Sequence, residues 1–159
     1  MVKFKSAHAA FAVAFLLAGL PTSLSARGFP ASCAGTYLTQ EAGGARDFWT
    51  LEADGTFFGT TSTQALFHFT NQQGTWTKNG DDGAKGVLLA FVFNDDNSLQ
   101  SIARIDISLH TVGDGCDNVA GSLEVRSFEA GEDPLNPSTD TGPPIATDTF
   151  TGRRVAVRR

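Results

Sequence analysis

Beyond residue 26 the chain alternates apolar and polar residues with a period of two, the signature of strands with one buried face. Eight stretches carry the pattern: 35–40, 47–53, 56–64, 74–78, 86–93, 99–112, 119–128 and 147–157. In the sixth, Ile105, Ile107 and Leu109 fall on one side and Arg104, Asp106, Ser108 and His110 on the other. The seventh repeats this, with Leu123 and Val125 opposed to Glu124 and Arg126. The fifth is apolar on both sides: Val87, Leu89, Phe91 and Phe93 oppose Leu88, Ala90 and Val92. A strand of that kind predicts cover on its outer face, from the long loop near the end of the chain or from a second subunit.

Polar reversals separate these stretches. Asp54-Gly55 is a two-residue hairpin signal, because both residues tolerate positive φ. Residues 79–83, 94–97 and 113–118 are rich in Asn, Asp and Gly. No apolar stripe at helical spacing runs beyond two turns. Short links between consecutive strands favour antiparallel neighbours. The expected fold is therefore all-β, a single antiparallel eight-stranded up-and-down barrel over residues 27–159, which leaves no exposed sheet edge. Residues 133–147 break the pattern with four prolines among Ser, Thr and Gly, and their composition predicts a flexible loop.

The first 26 residues read differently. Lys3 and Lys5 precede an uncharged apolar run from Ala9 to Leu20, and Pro21 and small residues follow. That order is a cleaved signal peptide, with cleavage expected after Ala26 or Ser25. The run is short for a bilayer span, which needs about 20 apolar residues. An exported, periplasmic or extracellular domain without a membrane span is the expectation. Two alternatives stay open: a retained anchor, and a lipoprotein acylated at Cys33, which follows Pro30-Ala31-Ser32.

Losing Lys3 and Lys5 leaves ten Lys and Arg against seventeen Asp and Glu, a formal charge of −7. An acidic surface argues against nucleic acid as a partner. Cys33 and Cys116 remain in a chain bound for an oxidising compartment, where an even count predicts a disulfide; two free thiols are the other possibility. His68 and His110 are too few for a histidine zinc site. The carboxylates at Asp95 and Asp96, at Asp114 and Asp117, and at Glu129, Glu132 and Asp133 lack EF-hand spacing. No metal and no cofactor is expected, and no nucleotide or nucleophile motif is present.

Ten Phe, two Trp and one Tyr lie beyond residue 26. Rings in such numbers either fill a small barrel or line a pocket. The pattern resembles the calycin group of lipocalin-like and avidin-like barrels. Gly35-Thr36-Tyr37 opens the first strand as Gly-x-Trp opens a lipocalin, with Tyr in place of Trp. Gly74-Thr75-Trp76, Arg104 with Asp106, and the closing run from Phe150 to Val155 are similar to motifs of small exported bacterial barrels. The allene oxide cyclase barrel is related in shape; that resemblance implies trimers and cyclisation chemistry.

Two functions follow as expectations. The first is a binding module for a small apolar or amphipathic ligand in the barrel interior, lined by Tyr37, Trp49, Phe57, Phe69, Trp76 and Phe91 and oriented by Tyr37 and Arg104. The second is a cofactor-free cyclase or isomerase, whose candidate catalytic residues are Arg104, Asp106, Glu124 and His110. The second needs the charged side of the sixth and seventh strands to face inward. A filled barrel with a structural or assembly role, and a homo-oligomer, complete the range.

Overall fold

The structure is a computed structural model, and it describes residues 29, 31–129, 131–139 and 142–156. The signal peptide and its cleavage site lie outside these residues. Eight strands follow in chain order: β1 (Gly35–Glu41), β2 (Arg46–Leu51), β3 (Thr56–Thr61), β4 (Gln72–Asn79), β5 (Gly83–Phe93), β6 (Leu99–Thr111), β7 (Asn118–Phe128) and β8 (Ala146–Arg154). Each pairs antiparallel with the next, and β8 pairs with β1 to close an up-and-down barrel. Where the chain reverses, it uses the chemistry the sequence offers. Gly55 sits at φ 92° between β2 and β3, and the Asp54 carboxylate accepts the Thr56 amide at 2.9 Å.

The alternation sets which face is inside. Ile105, Ile107 and Leu109 point into the barrel beside Leu123, and Arg104, Asp106, Glu124 and Arg126 point out. Trp49, Leu51, Phe57, Leu88, Val119 and Phe150 complete the core. Rings this large fit because glycines face them. A methyl group on Gly86 would stand 2.7 Å from the Phe57 ring, and one on Gly121 would meet Phe150 at 2.7 Å.

One end of the barrel is sealed. Phe29 is fully buried and meets Trp76 edge-on, with centroids 5.6 Å apart. A 3₁₀ turn at Ala31–Cys33 follows, and the Tyr37 hydroxyl donates to the Cys33 carbonyl at 2.7 Å. Arg154 reaches across to the carbonyls of Ser32 and Ala34. The Cys33–Cys116 disulfide ties this plug to the loop between β6 and β7, with Cα atoms 5.1 Å apart.

The segment after β7 crosses the outer face of β6 and β7. Arg104 forms two bonds of 2.8 Å with Asp106 and donates a third to the Pro134 carbonyl. Arg126 pairs with Glu124 at 2.7 Å and donates to the Gly142 carbonyl. Each guanidinium thus joins a carboxylate two residues along its own strand to a backbone carbonyl of the crossing segment. Phe128 belongs to the same outer face by alternation, stands apart from the interior core, and is 1 % exposed. Cover on the doubly apolar strand is partial: Val87 and Leu89 are half-buried, and Phe91 is 51 % exposed.

Candidate functional site

The end of the barrel opposite the plug is chemically different. The buried polar or charged residues among those described are Thr39, Asp47, Thr61, Gln72 and Ser101, and all five belong to that end. Alternation puts them inside. Thr39 on β1, Asp47 on β2 and Thr61 on β3 form one cross-strand row. Tyr37, Trp49, Gly59 and Gln72 form the row beside it, towards the plug. Ser101 on β6 completes the layer and accepts a hydrogen bond from Ser127 at 2.9 Å.

Asp47 is 2 % exposed, so its charge must be compensated from inside. The Thr39 hydroxyl donates to its Oδ2 at 2.9 Å. A second carboxyl lies near it: Glu41, the last residue of β1, shares the inward parity of Tyr37 and Thr39. Burial first, then the Asp47 charge, then the Asp148 charge, push the Glu41 carboxyl up to about 7. Asp148 stands at the same rim on β8, where its Oδ2 accepts the Gly43 amide at 2.8 Å. The ion pairs among the described residues are His68–Asp95, Arg104–Asp106 and Arg126–Glu124, and none involves these three carboxyls.

The sign of the pH effect follows. A carboxyl with a folded value near 7 and an ordinary value of 4.5 makes the folded chain the better proton binder between those two pH values. Its contribution to stability is present below pH 4.5 and is lost as the pH rises through 7. Glu41→Gln is expected to remove that decline. Melting temperatures of the two proteins, compared from pH 5 to pH 8, check it: an unchanged slope in the variant rules the coupling out.

Beneath the carboxyl pair the site turns aromatic. The Trp49 ring meets Phe150 edge-on at 4.6 Å between centroids and Phe57 at 5.9 Å. Phe150 is the cross-strand neighbour of Glu41, so Trp49 reaches under the carboxyls. The Trp49 Nε1 is buried and has no acceptor. Gln72, 8 % exposed, folds its side-chain oxygen over Gly59, the backbone position between it and Trp49. A side chain on Gly59 would collide with that oxygen.

The sequence-derived candidates divide between the two faces. Tyr37, Trp49 and Phe57 are interior and almost wholly buried. Trp76 lies against the plug, with its Nε1 donating to the Glu52 carbonyl at 2.8 Å. Phe69 sits in the link between β3 and β4, bridged to Val92. Phe91, Arg104, Asp106, Glu124 and His110 are on the outside, so the charged side does not face the interior. Glu41, Asp47, Thr39 and Gln72 did not stand out in the sequence. The signal was there in Thr39 and Glu41, and in Asp47 beside the apolar Trp49 and Leu51: polar residues at the parity of a core face.

A groove of 880 Å³ also runs over the outer face of β4 to β8, lined by Thr75, Lys85, Val87, Ser108, Ser122 and Thr149. Its hydroxyls are open to water. The unsatisfied indole and the carboxyl pair are instead inside the barrel, and they mark the interior as the better candidate. No metal-binding group of His, Cys, Asp and Glu occurs among the described residues.

Fold and site together define a class: a closed eight-stranded antiparallel barrel, calycin-like in shape, with one end plugged and the other polar inside. The chain matches no family model, no curated protein and no solved structure.

Proposed function

We propose that the domain is an exported binding barrel that takes a small amphipathic ligand through its polar end. The observation that carries this reading is the buried Trp49 Nε1 without an acceptor, set in the same row as the Gln72 amide. An indole N–H left unpaired in a core costs about 1–3 kcal/mol, and a bound acceptor recovers it. The ligand's polar part meets Gln72 and Glu41 at the polar end, and its apolar part gains room only if side chains above the almost wholly buried Trp49, Phe57 and Tyr37 rings move aside. The disulfide supports an oxidising compartment.

The test uses Trp76→Phe, which leaves Trp49 as the only indole. Titration with 1-octanol is expected to shift the Trp49 emission saturably. Gln72→Leu is expected to weaken binding about tenfold, the worth of one buried hydrogen bond. Emission that stays constant up to the solubility limit of octanol counts against an interior site.

A second reading, cofactor-free isomerisation, now draws on Glu41 and Asp47 rather than on the outward-facing residues. A Glu41 carboxyl whose pKa is raised to about 7 is a proton donor or acceptor near neutral pH at the rim of the barrel. Recovery of the ligand unchanged after long incubation separates binding from turnover.

A further inference from the structure

The outer wall where the barrel closes is basic, in a chain that is acidic as a whole. No Asp or Glu stands at an outward position of β8, β1 or β2, although the chain holds seventeen of them. A groove of 800 Å³ crosses this wall, and no carboxylate lines it among the described residues. The strand registers place its side chains. Arg153 on β8 pairs with Leu38 on β1, and Val155 lies beside Thr36, one outward position further along. Val112, just past β6, is bonded to Asn118, which pairs with Arg153 from β7. Arg46 on β2 pairs with Gln40 and donates to its Oε1 at 2.8 Å. Only β1 separates the strands of Arg46 and Arg153, so about 10 Å of sheet lies between them.

These two arginines differ from the rest. Arg104 and Arg126 hold carboxylates, and Arg154 is bonded to two carbonyls of the plug. Arg46 and Arg153 are exposed and form no ion pair among the described residues. Around them the groove leaves apolar side chains open: Leu38, Val112 and Val155 are 42, 47 and 55 % exposed. Free guanidiniums beside open apolar side chains, with no acid to compete, match an anion that carries an apolar part. A concave site of this volume falls in the range of about 300–1,000 Å³ that takes one small molecule, which favours a single ligand over a bilayer. We infer that this groove binds a free anionic amphiphile, its carboxylate or phosphate held between Arg46 and Arg153 and its chain laid on the apolar side chains. The site is on the outer wall and is independent of the interior one proposed above.

The experiment follows backbone amides of the oxidised protein by NMR at pH 7 during titration with octyl phosphate, octanoate, 1-octanol, octylamine and inorganic phosphate. Octyl phosphate and octanoate are expected to move the amides of Leu38, Arg46 and Arg153 saturably. The other three are each expected to act there at least tenfold more weakly. Arg46→Gln and Arg153→Gln, both surface changes, are each expected to weaken octyl phosphate about tenfold. Octanol or octylamine matching octanoate at these amides overturns the choice of an anion. Inorganic phosphate matching octyl phosphate overturns the amphiphile. Shifts confined to the surroundings of Trp49 overturn the groove and support the interior site. Sedimentation with phosphatidylglycerol vesicles, without saturable binding of the single molecules, overturns the free ligand in favour of a membrane surface. No response at the groove to any of these overturns the inference and leaves the interior reading to its own test.

Discussion

Replacing Cys33 and Cys116 together by alanine is expected to lower the unfolding free energy by about 4 kcal/mol, because the bridge closes a loop across a separation of 83 residues. Loop-closure entropy alone gives up to about 4–5 kcal/mol for a loop of this length. The structure adds a second cost. Cys33 is fully buried beside Phe29, and the 3₁₀ turn that carries it also supplies the carbonyl bonded by Tyr37. Freeing the turn loosens the plug and exposes Trp76. Urea denaturation of the oxidised protein and the double variant measures the difference. A loss below about 1 kcal/mol would show that the plug holds without its covalent tie.

The second large effect concerns Phe57, which is fully buried with its ring seated on Gly86. Phe57→Ala is expected to cost about 3–5 kcal/mol through lost burial and the cavity left behind. Gly86→Ala alone is expected to cost about 1–3 kcal/mol, because the new methyl meets the ring at 2.7 Å. The two changes do not add. Without the ring the methyl has room and fills part of the cavity, so the double variant is expected to be more stable than the sum by more than about 1 kcal/mol. Denaturation of all four proteins gives that coupling. Additivity would mean that Gly86 is there for another reason.

These effects share a cause, which is how an eight-stranded barrel fills. Its interior takes about one side chain per strand in each layer, so large rings require small partners. Phe57 has Gly86, Phe150 has Gly121, and Gln72 has Gly59. At the plugged end this matching leaves an apolar core. At the other end it gives way to Thr39, Asp47, Thr61, Gln72 and Ser101, and the chemistry gathers there.

The sequence by itself determined the strands, their order and the division of each into two faces. Period-two alternation and Asn, Asp and Gly turns are local signals, and β6 over Leu99–Thr111 runs almost as its pattern dictates. Where a segment leaves the sheet is less local. The third stretch reads as strand to residue 64 but ends at Thr61, because the chain then turns through residues 62–68 to reach β4. The pairing of Cys33 with Cys116 was legible from compartment and count. Only the tertiary structure decided the use of the charged residues. Arg104, Asp106, Glu124 and Arg126 read equally as a lumen or as a surface, since alternation separates two faces without saying which closes inward. Closure resolved this by area: Ile105, Ile107, Leu109 and Leu123 leave water only if they are the inner face, while the arginines, on the outer face, hold the Pro-rich segment. Glu41, Asp47 and Asp148 come from different strands, two of them from opposite ends of the chain. They become one site only when β8 pairs with β1, a contact no local pattern encodes.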